Sequence, residues 1–143
     1  MVYLAQTDTT VGFLSFCDKK LAKVKGRDPK QKTLKVVDSF NTLKEKVRVP
    51  NRYKKRLRRS KKTTYIYPNG LSFRVVDPNS DHHSFVKKFG TLFSTSANRT
   101  KKDFEEDFAV KNSDIVLYTK DGFNQNRSST IYKINNKKII RLR

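Results

Sequence analysis

The chain is poor in the residues that build covalently or metal-stapled folds. Its 143 residues include one cysteine, Cys17, one methionine, no tryptophan, four prolines and five glycines. A single cysteine excludes an internal disulfide and a cysteine-rich zinc site, and Cys17 is expected to be a small buried apolar side chain. Five glycines leave little material for a phosphate-cradling loop, and neither a Walker sequence nor a Rossmann fingerprint occurs. No apolar run approaches the ~20 residues of a transmembrane helix, and the first residues lack the basic and apolar segments of a secretory leader. A cytoplasmic, reduced protein without a membrane partner is the expectation. Acids are scarce as well: 13 Asp and Glu face 33 Lys and Arg, for a net charge of +20.

That charge attracts polyanions, nucleic acid foremost, with anionic surfaces or nucleotides behind it. A general solubility bias would give the same number, so charge alone does not decide. Ten Phe and six Tyr supply the material for a core, and the length suits a single domain over 1–143.

Apolar residues recur in short segments of changing period. Val2–Ala5 reads as a strand, and Val11–Val24 as a helix with Leu14, Leu21 and Val24 on one side. Leu34–Val37 is a strand, followed by a helix over Phe40–Val47 capped by Ser39. Asn51 is placed as the cap of a basic helix, Arg52–Arg59. Pro68-Asn69-Gly70 between two β-rich runs is a hairpin signal. Ser80 is expected to cap a helix over Asp81–Phe89, ended by Gly90. The stretch "TLFSTSAN" reads as a strand, Lys102–Lys111 as a helix, "DIVLYT" as a strand, and the closing residues as a hairpin turning at Asn135-Asn136. Alternating strands and helices, then gathered strands, predict an α/β fold built on one twisted mixed β-sheet with flanking helices.

Two strands end in hydroxyls: Thr7-Asp8-Thr9-Thr10 and Ser94-Thr95-Ser96-Ala97-Asn98. Ligands of open α/β sheets sit outside strand ends, although turns and caps use the same side chains. Lys25-Gly26-Arg27 offers two cations suited to phosphate or carboxylate, and in a chain this basic it also fits a solvated loop. Between Lys44 and Lys62 lie eleven Lys or Arg and one acid, Glu45. Arg52, Lys54, Lys55, Arg56, Arg58 and Arg59 crowd its helix, as an RNA-binding surface or as a solvated face. His82 and His83 are adjacent, lack a metal-binding spacing and read as a surface pair. No metal-binding side chains are expected.

In order, these pieces resemble the Sua5/YrdC/YciO family of threonylcarbamoyl-AMP synthases. "QTDTTVGFL" is similar to its Pro-Thr-Glu-Thr-x-Tyr-Gly-Leu, "KGR" to its Lys-x-Arg, and "STSAN" repeats its Ser-Thr-Ser-Ala-Asn. "TTYIYP" stands for the strand after its Pro-Gly-Pro, Arg74 for the arginine of Ala-Val-Arg-Val, and "SSTIY…IIRL" for its closing segment. The resemblance implies a YrdC/RibB-like fold and the conversion of L-threonine, bicarbonate and ATP, carried with Mg²⁺, into threonylcarbamoyl-adenylate and pyrophosphate. The adenylate would serve the proteins that make threonylcarbamoyladenosine in tRNA. By the same resemblance Lys25, Arg27, Ser96 and Asn98 surround the phosphates and the carbamate. Thr7, Thr9, Thr64 and Arg74 would bind threonine, and Ser94, Ser129 and Arg141 the nucleotide. Gln6, Val11, Asp28, Ser60-Lys61-Lys62 and Arg99-Thr100-Lys101 depart from the motifs. A noncatalytic member binding double-stranded RNA or tRNA stays open as the alternative.

Overall fold

The computed structural model describes residues 1–143. The opening run forms a hairpin: β1 (Val2–Gln6) pairs antiparallel with β2 (Val11–Ser15), Val2 opposite Ser15 and Gln6 opposite Val11. This corrects the helix expected over Val11–Val24. "VGFLS" is buried at all five positions, and a strand covered on both faces shows no alternation to separate it from a buried helix. Helix starts only at α1 (Asp18–Lys25) and stops at Gly26, whose φ of +64° is the left-handed cap for which glycine is suited.

The remaining elements are β3 (Lys35–Val37), α2 (Phe40–Lys46), a 3-10 turn at Asn51–Tyr53, α3 (Lys54–Arg59), β4 (Thr63–Ile66), β5 (Ser72–Val75), α4 (Asp81–Lys87), β6 (Thr91–Ser96), α5 (Glu106–Lys111), β7 (Ile115–Leu117), β8 (Thr130–Ile134) and β9 (Ile139–Arg141). Ser39 caps α2 as expected, accepting from the Thr42 amide at 3.1 Å. Asn51 caps nothing: it lies inside the 3-10 turn, and neither that turn nor α3 has a side-chain cap. Ser80 holds the cap position of α4, but its hydroxyl donates back to the Asp77 carbonyl at 2.6 Å. Helix α5 begins four residues later than expected, because Asn98 bridges to Phe104 and draws the intervening chain into a turn.

The strands form one sheet in the order β7-β1-β2-β6-β3-β5-β4-β8-β9. Pairs β1/β7, β3/β5 and β4/β8 are parallel and the others antiparallel, so the sheet is mixed. The turns at Asn69-Gly70 and at Asn135 close their hairpins as expected.

Two apolar clusters lie against the sheet. One joins β4, β5 and β8 to α2 and α3 through Tyr65, Phe73, Ile134, Leu43 and Leu57. The other joins β1 and β2 to α1 and α5 through Leu4, Phe13, Leu21 and Ala109. A third cluster packs α4 against Leu14, Val36 and Leu92 through Val86. Side chains alternate along each strand, so Val36 shares its face of the sheet with Leu34, and Leu14 with Gly12. Leu34 and Gly12 line a cavity. Helix α4 therefore covers part of one face and leaves the adjoining part as an open, polar hollow.

Candidate functional site

The hollow has a volume of about 580 Å³ and 23 lining residues, three of them hydrophobic. Six carry positive charge (Lys25, Arg27, Lys32, Arg74, Lys101 and Arg143) and none is acidic. Serine and threonine hydroxyls make up much of the remaining wall, so the hollow suits a polar anion and holds no carboxylate for a cation.

Its rim is built from local turns. Between β1 and β2 the Thr7 hydroxyl accepts from the Thr9 amide at 3.1 Å and donates to the Thr10 carbonyl. The threonines thus hold the hairpin turn and line the hollow at once. Gly12 lets that turn lie close to β6: a Cβ there would sit 3.1 Å from both the Thr7 methyl and the Thr95 carbonyl oxygen.

Lys25 and Arg27 flank the left-handed Gly26 at the end of α1, and both line the hollow. The Lys25 ammonium donates into a ring of oxygens: Ser96 O at 3.0 Å, Asn98 O at 2.5 Å, Asn98 Oδ1 at 2.8 Å and, more weakly, Ser96 Oγ at 3.4 Å. Ser96 in turn donates to Asn98 Oδ1 at 2.6 Å. Lys25, Ser96 and Asn98, 71 to 73 residues apart in sequence, form one hydrogen-bonded unit. Burial, aided by the neighbouring Arg27 charge, pushes Lys25 down to about 8. Burial likewise lowers Arg27, whose Nη2 has no partner in the protein. An unpartnered buried guanidinium nitrogen is costly unless a ligand satisfies it.

At the other end, Thr64 Oγ1 and Ser129 Oγ lie 2.8 Å apart. Arg74 lies in the floor, 4% exposed, with Nη2 and Nε each 3.2 Å from one oxygen of Asp8. Burial lowers the Arg74 guanidinium, and the Asp8 carboxylate acts against that shift. Nη1 of Arg74 makes no hydrogen bond within the protein.

Ten of the expected site residues therefore meet around one hollow: Thr7, Thr9, Lys25, Arg27, Thr64, Arg74, Ser94, Ser96, Asn98 and Ser129. Arg141 does not join them. It pairs with Tyr132, whose side chain packs with the α2–α3 cluster on the opposite face, and it is exposed. Two residues on, the amides of Leu142 and Arg143 both donate to the Ile131 carbonyl, a bulge-like pairing of two residues against one. Arg143 thereby reaches the hollow, its Nε donating to the Ser129 carbonyl at 3.0 Å. Sequence spacing had no signal for that extra residue. Lys32 and Lys101 were missed because isolated lysines are commonplace in this chain.

Other expectations are corrected. His82 is buried, 4% exposed, with neither ring nitrogen partnered, and burial holds it neutral by pushing it down to about 4. Only its neighbour is partly exposed, with Nε2 of His83 3.0 Å from the Asp38 carbonyl. Cys17 is half-buried rather than enclosed. In the basic segment, Arg52, Lys55, Arg56, Arg58 and Arg59 are exposed and Lys54 is half-buried. Two of them lie over aromatic rings, Arg56 on Tyr132 at 4.8 Å and Arg58 on Phe40 at 4.6 Å. No group of three or more His, Cys, Asp or Glu gathers to hold a metal ion. No helix is long and apolar enough to cross a membrane.

A mixed sheet in this strand order with flanking helices is a YrdC/RibB-like α/β fold, and here it carries a cationic hollow on one face. Solved structures share that architecture. Sua5 from P. abyssi complexed with L-threonine superposes with a TM-score of 0.78 at 14% identity, over 99% of this chain and 49% of Sua5. A doubly substituted Sua5 gives 0.79 at 13% identity, over 99% and 52%. MTH1692 from Methanobacterium thermoautotrophicum gives 0.71 at 18% identity, over 99% and 79%. Full-length HypF in its phosphate- and nucleotide-bound form gives 0.72 at 14% identity, over 99% and 26%. The chain thus spans about half the length of Sua5. No protein-family model and no curated protein matches the sequence.

Proposed function

We propose that this chain is a divergent member of the threonylcarbamoyl-AMP synthase family, using L-threonine, bicarbonate and ATP to form threonylcarbamoyl-adenylate and pyrophosphate. The observation that carries the reading is the meeting, in one acid-free hollow, of the ten residues that the ordered motifs single out. The fold of threonine-bound Sua5 and of nucleotide-bound HypF supports it.

In this reading the threonine amine attacks the bicarbonate carbon, water leaves, and a carbamate remains. A carbamate oxygen then attacks the α-phosphorus of ATP, and the bond to the β,γ-phosphates breaks. Such a transfer needs positioned reactants and neutralised phosphate charge more than a dedicated acid–base pair. Lys25 and Arg27 supply that charge, while Ser96 and Asn98 hold the Lys25 ammonium in place. Thr7, Thr9 and Thr64 line the amino-acid end, with the free Nη1 of Arg74 facing the threonine carboxylate. Ser94, Ser129 and Arg143 line the nucleotide path, the last in place of Arg141. The wall offers hydroxyl, amide and carbonyl oxygens without a carboxylate, so Mg²⁺ fits here as an ion carried by the triphosphate and its waters. The product would pass to the proteins that complete the tRNA modification.

The exposed Arg-rich face of α3 favours one further reading, a noncatalytic module for tRNA or other double-stranded RNA. A single assay separates the two. Pyrophosphate should appear only when ATP, threonine and bicarbonate are all present. Release that ignores threonine would remove the synthase reading, and RNA retention without any release would favour the RNA module.

The Lys25 ammonium gives a pH test. A bound polyphosphate favours its charged form, so binding raises its pKa above the free value of about 8. Lys25 should therefore contribute fully to ATP affinity near pH 7, and affinity should fall as pH rises through 8, by up to about tenfold per pH unit. Lys25→Gln should abolish that slope; an identical slope in the variant would assign it to another group.

A further inference from the structure

Six positions of the chain have positive φ: Gly26, Gly70, Gly90 and Gly122, and the lysines Lys62 and Lys101. A side chain in the left-handed region is strained, and such strain persists only where the surroundings impose it. Lys101, at φ +62°, is the third residue of a turn closed by the Lys102 amide on the Arg99 carbonyl at 2.9 Å. Turns needing positive φ at that place normally carry glycine or asparagine. The turn is also fastened from outside. The Thr100 hydroxyl donates to the Lys25 carbonyl at 2.9 Å, Nδ2 of the Asn98 side chain donates to the Lys102 carbonyl, and the Arg99 guanidinium lies over Phe108 at 4.8 Å. Lysine therefore occupies a glycine position, and Lys101 is one of the residues that line the hollow, as Lys25 and Arg27 are.

We propose that Lys101 is a ligand-binding residue whose left-handed backbone delivers its ammonium to the phosphoanhydride chain of the nucleotide. This rests on the reading that the hollow takes a nucleoside triphosphate. The turn puts the charge at the rim, where Lys25 is already held by Ser96 and Asn98 and Arg27 has one nitrogen unsatisfied. A third cation there neutralises phosphate oxygens that those two leave exposed. Lys62, at φ +53° but outside the hollow, provides a matched control.

The test sets stability against affinity in Lys101→Gly. Relief of the backbone strain should raise the thermal midpoint by about 2 °C. Loss of the ammonium should weaken inorganic tripolyphosphate and ATP alike, by about five- to tenfold for a solvent-facing charge. Lys101→Arg should keep affinity within about twofold, because it preserves the charge. Lys62→Gly should stabilise comparably and leave both affinities unchanged. A Lys101→Gly protein that binds tripolyphosphate as tightly as wild type overturns the proposal, as does one whose weaker binding accompanies lower stability. Wild-type protein that binds neither tripolyphosphate nor ATP would instead remove the nucleotide reading on which the proposal stands.

Discussion

Asp8→Ala should cost about 3–5 kcal/mol of folding stability, a large share of the ~5–15 kcal/mol that keeps a domain folded. The Arg74 guanidinium is 4% exposed and the Asp8 carboxylate 1%, and each is the other's ionic partner. Removing the carboxylate leaves a buried positive charge with no compensating group, beside an imidazole that burial already holds neutral. Asp8→Asn retains an oxygen acceptor for Nε and Nη2 and should lose less. Urea unfolding of the two variants checks this ordering. A loss below about 1 kcal/mol for Asp8→Ala would mean that Arg74 does not depend on this pairing. Because Asp8 also aims Arg74, Asp8→Asn should raise the threonine KM more than the ATP KM.

The second large effect concerns catalysis. Lys25→Ala and Arg27→Ala should each slow adenylate formation by about 10²–10³-fold, as loss of a preorganised electrostatic group does elsewhere, or about 2.7–4 kcal/mol. Neither side chain belongs to an apolar cluster, so both variants should fold. Lys25→Ala should also loosen the Ser96–Asn98 loop, because the ammonium donates to both backbone carbonyls there. Arg27→Ala removes a nitrogen that has no protein partner and should leave the free protein almost undisturbed. Folded variants with wild-type rates would show that these cations lie beside the chemistry without serving it.

Local signals made several parts of the fold legible. Asn69-Gly70 and Asn135-Asn136 specify hairpins through turn geometry, and Ser39 specifies a helix start through its hydroxyl. Strand β2 was illegible for a physical reason: burial on both faces erases the alternation that marks a strand. The late start of α5 follows from the Asn98–Phe104 bridge, a contact that residue preferences do not encode. The site was legible where small motifs carry it, at Thr7, Lys25, Arg27 and the Ser94–Asn98 stretch. Arg74 was expected there, but its ion pair was not, because Asp8 and Arg74 meet across 66 residues of sequence. Nor was Arg143, which the doubled pairing at Ile131 brings to the hollow while Arg141 turns to the other face. His82 was misread because adjacency to His83 says nothing about which of the two a helix buries.

The most direct measurement is mass spectrometry of the product made by the folded protein from ATP, ¹³C-bicarbonate and isotopically labelled threonine. The account predicts an adenylate carrying one bicarbonate carbon and one intact threonine, formed in step with pyrophosphate. ATP bound but never converted, with threonine recovered free, would contradict it.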